Sequence, residues 1–262
     1  MERKIRVTVW NEFVDEKTKE KAAECYPEGI HKYFQGFLTD AGFNVTCATL
    51  EMPEHGLTDE VLAHTDVLIW FAHIRHHEVS DEVVSKVHRR VLEGMGLILL
   101  HSAHGSKLIR KVLGTGCMLK FREDDQGEVL WCVNPSHPIA QGVDEHIIIP
   151  HEEMYGEYFD IPEPDELVFI GWFEGGEVFR SGCCWKRGLG RIFYFQPGHE
   201  EYPVYHQKQI QKIIINAIGW AKPIENPCDY MQGFHEPLMN KEKIHYEIPD
   251  FPPDMPRHFF MV

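Results

Sequence analysis

The residues of this chain that could do chemistry sit in four short groups, each directly after an apolar run. Asn11-Glu12 follows Ile5 to Trp10. His73, His76 and His77 follow Val67 to Phe71. His101, Ser102 and His104 follow Gly96 to Leu100, and His199-Glu200 follows Gly190 to Phe195. Imidazole is the commonest metal ligand and titrates close to neutrality. His73, His101, His104 and His199, with a carboxylate such as Glu153, would hold Zn²⁺ or a similar divalent ion and leave a position for water or a hydroxyl. Without an ion, His101, His104, His199 and Glu153 would serve as acid/base groups, shuttling a proton at a carbon next to a carbonyl. A third chemistry makes Ser102 a nucleophile with His199 as base and Glu200 as orienter. Ser102 lacks the flanking glycines of a G-x-S-x-G elbow, and His101 would crowd so tight a turn. There is no H-E-x-x-H motif, and Gly114-x-Gly116 is too short for a nucleotide fingerprint, so no nucleotide cofactor is expected.

A second polar cluster, His151-Glu152-Glu153-Met154-Tyr155-Gly156-Glu157-Tyr158, reads as a loop. Its acids and tyrosines suit a hydroxyl-rich ligand. Arg180, between the glycines of Gly175-Gly176 and Gly182, would anchor an anion or pair with an acid such as Glu177. The ligand-binding set is thus Asn11, Glu12, His73, Tyr155, Glu157, Arg180 and Glu200.

These groups need a scaffold that brings strand ends together. Strands at 5–10, 45–50, 67–71 and 96–100 alternate with helices at 26–38, 58–63, 80–92 and 107–113, the rhythm of a flavodoxin-like, doubly wound, mostly parallel sheet. In such sheets ligands bind at the carboxyl edge. Strands three and four should be neighbours, with the last strand on the same side, which gathers His73, His101 or His104, and His199. After Gly114 the rhythm changes. Met118–Phe121 and Glu128–Val133 read as a hairpin about Asp124-Asp125-Gln126-Gly127, and further short strands make an antiparallel excursion. Trp70, Trp131, Trp172 and Trp185 are expected in the core. A last strand at 190–195 precedes a long amphipathic helix, 204–220. The organisation is one α/β domain over residues 1–222 and a proline-rich extended arm over 223–262, laid on a neighbouring subunit of a homo-oligomer or on its own domain.

Composition limits the function. A net charge of −15 argues against binding nucleic acid, and no apolar run approaches the ~18 residues of a membrane span. Seven scattered cysteines without a C-x-x-C fit a reducing cytoplasm, and none stands at a turn where it would be catalytic.

Several strings carry a resemblance: Pro53-Glu54-His55-Gly56-Leu57-Thr58, Gly94-Met95-Gly96-Leu97-Ile98-Leu99-Leu100-His101-Ser102, Glu152-Glu153-Met154-Tyr155-Gly156-Glu157, Gly175 to Gly182, and Phe195-Gln196-Pro197-Gly198-His199-Glu200. In order, from about residue 5 to Pro223, they resemble the ThuA-type trehalose-utilisation proteins. That resemblance implies a class I glutamine-amidotransferase-like fold and a role in disaccharide catabolism, often beside a sugar-oxidising dehydrogenase. Ser102 would stand about where amidotransferases have a cysteine, and His199-Glu200 lacks the spacer of their His-x-Glu, so no glutaminase activity is implied. The expected protein is an enzyme of carbohydrate metabolism, of hydrolase or isomerase/lyase type, acting on a disaccharide or its keto derivative. Its rivals are a non-catalytic sugar-binding or regulatory protein and a Ser102/His199 hydrolase.

Overall fold

A computed structural model describes residues 3–224. Almost all of the expected C-terminal arm lies outside the described residues. The elements run β1 (Arg6–Asn11), α1 (Asp15–Thr18), α2 (Glu20–Cys25), α3 (Ile30–Asp40), β2 (Asn44–Thr49), α4 (Asp59–Ala63), β3 (Val67–Phe71), α5 (Asp81–Leu92), β4 (Gly96–Leu100) and α6 (Lys107–Leu113). They continue with β5 (Lys120–Cys132), β6 (His146–Gly156), β7 (Glu166–Phe173), β8 (Val178–Arg187), β9 (Gly190–Phe195) and α7 (Lys208–Ala221).

All nine strands join one sheet in the order β2-β1-β3-β4-β9-β8-β7-β5-β6. The pairings from β2 to β9 are parallel, and those from β9 onward to β6 are antiparallel. Every residue of β3 and β4 is buried, as befits parallel strands covered on both faces. Alternate side chains feed two cores. Trp10, Trp70, Leu97 and Leu99 pack with α4, α5 and α6. Val7, Val9, Ile69, Ile98 and Leu100 pack with α3 and α7 through Phe34, Leu38, Ile210, Ile214 and Ala217.

Local signals fix the helix starts. Thr58, Ser80 and Ser106 accept hydrogen bonds from the amides of Val61, Val83 and Ile109, each cap contributing about 1 kcal/mol. Gly114, in the left-handed conformation, ends α6. No helix among the described residues is long and apolar enough to cross a membrane.

Three expectations need correction. The 118–133 stretch is no hairpin: β5 runs unbroken from Lys120 to Cys132, and the acids at its centre form irregularities in its ladder with β6. A bulge keeps a strand going where a Gly-containing turn was expected. The cluster His151–Gly156 lies inside β6, whose burial in the chain's interior the polar composition concealed. Trp70 and Trp185 are core, but Trp131 and Trp172 are exposed on the antiparallel half.

Candidate active site

The carboxyl ends of β1, β3, β4 and β9 lie along one edge, and the loops leaving them carry the first groups. Glu12, just past β1, accepts hydrogen bonds from the backbone amides of His73, Ile74 and Arg75 at 3.1, 3.0 and 2.8 Å. It is buried, and burial raises its pKa in spite of those donors. Its work is to hold the loop after β3. Asn11 is also inward-facing: it donates to Glu16 (2.7 Å) and to His31 Nδ1 (3.1 Å), and its carbonyl accepts the Phe13 amide. Both residues, expected to bind substrate, spend these groups on the protein itself; a polar pair at a strand end is as able to anchor loops as to bind substrate.

The loop held by Glu12 presents His73. Its Nδ1 donates to Asp15 Oδ2 at 2.7 Å and lies 3.0 Å from Glu200 Oε1. Lys19 closes the cluster, 2.9 Å from Glu200 and 3.4 Å from Asp15. Burial alone would lower the His73 pKa, but the hydrogen bonds and charges of Asp15 and Glu200 override it and hold the imidazole up at about 10. Burial pushes the Glu200 carboxyl upward, and the bonds and charges of His73, His199 and Lys19 leave it well below its ordinary value. Asp15 opens the four-residue α1 and Lys19 lies just after it, a stretch with no apolar stripe whose acids and lysines read as solvated surface. Glu200 was expected to orient His199; it clamps His73 instead.

His199 follows β9 through Gly198, whose φ of +138° and close contact with Tyr205 admit only glycine. The backbone here is pinned by Glu152, which accepts the Gly198 and His199 amides at 2.6 and 3.1 Å. Burial raises Glu152 to about 7 despite the charge of His101 and these donors. The His199 side chain is 1% exposed. Its Nδ1 accepts the Glu201 amide at 3.2 Å. Its Nε2 is buried without a hydrogen-bond partner; the carboxylates of Glu200 and Glu123 stand off at 3.8 and 3.9 Å. Burial lowers the His199 pKa to about 4, so the ring is neutral near pH 7.

Glu153, on β6, completes the constellation. Its Oε2 is 3.0 Å from His101 Nε2. Burial would raise its pKa, but the bond and charge of His101, with His199 and His73, hold it below the usual carboxylate range. One ring nitrogen each of His73 and His199 and a carboxylate oxygen of Glu153 lie within 4.8 Å of one another, the span that one metal ion needs. Asp15, His73 and Glu200 satisfy the same distance criterion, but the hydrogen bonds above already account for that group.

The remaining expected residues are placed otherwise. His101 is turned inward to Glu153 and the Gln196 carbonyl. His104 donates from Nδ1 to the Cys117 carbonyl at 3.1 Å and stands edge-on to Tyr155; it shares no ion position with His73 and His199. Burial lowers its pKa to about 4. Ser102 shares its hydroxyl bond with Tyr155 (3.0 Å) and touches neither His199 nor Glu200, so the hydrolase triad is not assembled. Tyr155, expected to orient a hydroxyl, is buried, stacked on His101 and hydrogen-bonded to Ser102. Arg180 and Glu157 form a two-pronged ion pair at 2.8 and 2.9 Å and are occupied with each other; Glu177 pairs with Arg122 instead.

The mixed sheet, parallel from β2 to β9, has a class I glutamine-amidotransferase-like fold, and the turn after β4 holds no cysteine. The chain belongs to the ThuA family, described as trehalose utilisation, whose model matches residues 6–221. A ThuA-like protein from Parabacteroides merdae superposes with a TM-score of 0.62 at 12% identity, over 87% of this chain and 98% of that one. A ThuA-like protein from Bacteroides uniformis gives 0.59 at 16% identity, over 82% and 90%. PurLQS from Thermotoga maritima gives 0.50 at 12% identity, over 83% and 99%. A comparison with curated proteins finds no match.

Proposed function

We propose that this chain is an enzyme of trehalose-utilisation type that acts on a disaccharide or its keto derivative, with a divalent metal, Zn²⁺ by preference, held by His73, Glu153 and His199. The observation that carries this reading is the buried, partnerless His199 Nε2, set beside a carboxylate and a second imidazole within 4.8 Å. Two nitrogens and one oxygen leave an open position, the arrangement of catalytic rather than structural zinc. When bound, the ion would polarise a carbonyl or a hydroxyl of the sugar.

The protein's own groups favour such a site unequally. His73 has its Nδ1–H committed to Asp15 and Glu200, the carboxylate–histidine pairing common behind metal ligands; Nε2 is the nitrogen left for an ion, which must displace the proton that the raised pKa keeps there. His199 is less prepared. Its Nδ1 accepts an amide, so the neutral ring carries its proton on Nε2. Binding there would move that proton and displace the Glu201 amide. This supports a second reading, in which Glu153 is a general base at a carbon beside a carbonyl and His199 Nε2–H donates to the developing oxyanion.

Metal content of protein purified without added ions, followed by turnover of a keto-disaccharide by the native and chelator-stripped forms, separates the two. Stoichiometric zinc and loss of turnover on stripping support the first reading. Turnover that survives complete stripping overturns it in favour of the second. Absence of both metal and turnover leaves the sugar-binding reading.

A further inference from the structure

In α/β folds that mount a nucleophile on a strand-to-helix turn, the mounting residue is held in a strained backbone conformation. Here the residue after β4 with positive φ, +47°, is His101, not Ser102. Histidine tolerates the left-handed region better than most side chains. Its ring is turned into the interior. It is wholly buried, stacked on Tyr155 with ring centres 4.9 Å apart. Its carbonyl accepts the Tyr194 hydroxyl at 3.0 Å, and its Nδ1–H donates to the Gln196 carbonyl at 2.7 Å. Every handle on the ring is therefore fixed, and the remaining nitrogen, Nε2, meets Glu153 Oε2.

We propose that His101 is a positioning residue that fixes Glu153 for the ion, a role that rests on the metal reading above. With Nδ1–H already given to a carbonyl, Nε2 meets a carboxylate oxygen favourably only if a proton lies between them. That charge-assisted bond occupies Oε2 and sets the carboxyl plane. Oε1 has no side-chain donor of this kind and is the oxygen left for the ion. The strained turn thus supplies a rigid support behind a ligand instead of a reacting atom.

Two substitutions separate reach from backbone. His101→Asn keeps a side chain that accepts the left-handed conformation but is too short to reach Glu153. His101→Gln restores an amide donor near the Nε2 position. Both variants and the wild type are stripped, checked by circular dichroism and titrated with Zn²⁺ and with Co²⁺. The expected result is a loss of about 10- to 100-fold in Zn²⁺ affinity for His101→Asn, the range for removing a residue that supports a ligand. The Co²⁺ visible spectrum should change with it, and His101→Gln should recover most of both. A folded His101→Asn with wild-type affinity and spectrum overturns the proposal, as does His101→Gln behaving no better than His101→Asn. Failure of the wild type to bind either ion would sink the metal reading. A measurement on metal-free protein then decides the contact itself. The infrared carboxylate stretch assigned to Glu153, by its loss in Glu153→Gln, must shift in His101→Asn and return toward the wild-type position in His101→Gln. An unshifted band overturns the proposal whatever the metal result.

Discussion

The five parallel strands and the four antiparallel ones build this site by different means. The parallel half delivers imidazoles on loops beyond the strand ends, and those loops are held by a few side chains: Glu12 on the amides of 73–75, Asp15 and Glu200 on His73, and Lys19 on Glu200. The antiparallel half delivers carboxylates from within strands, Glu152 and Glu153 on β6 and Glu128 on β5. The strands fix their positions; burial raises Glu128 and Glu152, while His101 holds Glu153 down. Orientation is the vulnerable property of the first half and charge state that of the second.

The largest expected effect tests the first half. His73 is backed by two carboxylates and His199 by an amide on the wrong nitrogen. His73→Ala should therefore weaken Zn²⁺ binding by ~100-fold or more, and His199→Ala by about tenfold less than that. Isothermal titration of the two variants checks the order. Equal losses would mean that His199 changes tautomer at no cost and that the difference between the two imidazoles has no consequence.

The next pair of effects has opposite signs in the two halves. Glu128 is fully buried. The Gln196 amide, with its nitrogen turned inward, donates to both of its oxygens at 3.0 and 3.2 Å, and a side chain at Gly171 would collide with the carboxyl. Burial, then the charge of Glu152, raises its pKa well above the ordinary value. An acid raised in the folded state binds a proton that the unfolded chain has lost, so stability is greatest below the unfolded pKa and falls as pH rises. The slope is about 1.4 kcal/mol per pH unit until the folded pKa is reached. Glu128→Gln removes that fall: the variant should be more stable than wild type at pH 8, the gap closing toward pH 4.

Asp66, at the opposite edge of the parallel half, behaves the other way. Burial would raise it, but hydrogen bonds from Arg6, with the charges of Arg6 and Arg3, hold it below its ordinary value. Its contribution is present above the unfolded pKa and is lost as pH falls through the lower folded one. Asp66→Asn should cost about 1 kcal/mol at pH 7, solvent-exposed guanidiniums keeping the figure small, and cost less as pH approaches 3. Thermal melts across pH check both variants. Parallel pH trends in the two would remove the distinction between a half limited by pairing and a half limited by burial.

The same division decides what could be read from the sequence. In the parallel half β3 and β4 are short, wholly apolar runs closed by polar loops, and both coincide with their expected bounds. The neighbours expected of a flavodoxin-like order, β3 beside β4 with the last strand on the same side, are those seen, and they bring His73 and His199 together. In the antiparallel half the periodicity fails. β5 buries Glu128 and β6 buries Glu152, so runs with acids at inward positions look like turns or loops. Partner choice was illegible in both halves. Arg180 has Glu177 three residues away yet pairs with Glu157. Asp15 and Lys19 reach the site from α1 and its C-terminal flank, where four helical residues carry no pattern. The left-handed turn at His101 also left no mark, because the usual glycine signal is absent.

The smallest effect is expected at Ser102, where the two halves touch. Its hydroxyl has one side-chain partner, the Tyr155 hydroxyl on β6, which also lies 3.4 Å from His101 Nε2. Removing the serine oxygen leaves Tyr155 a weaker neighbour rather than an empty pocket. His73, Glu153 and His199 keep all their contacts. Ser102→Ala should therefore change Zn²⁺ affinity and keto-disaccharide turnover by no more than about twofold, less than the ~1 kcal/mol (about fivefold) of a typical neutral hydrogen bond, because the bond lost is made to none of these three residues. A serine-directed phosphonate should leave the native protein unlabelled. A nucleophilic Ser102 would instead lose several orders of magnitude on the same substitution. The substitution therefore contrasts a turn that supports a carboxylate with one that attacks a substrate, and it can be read from a single rate measurement on purified protein.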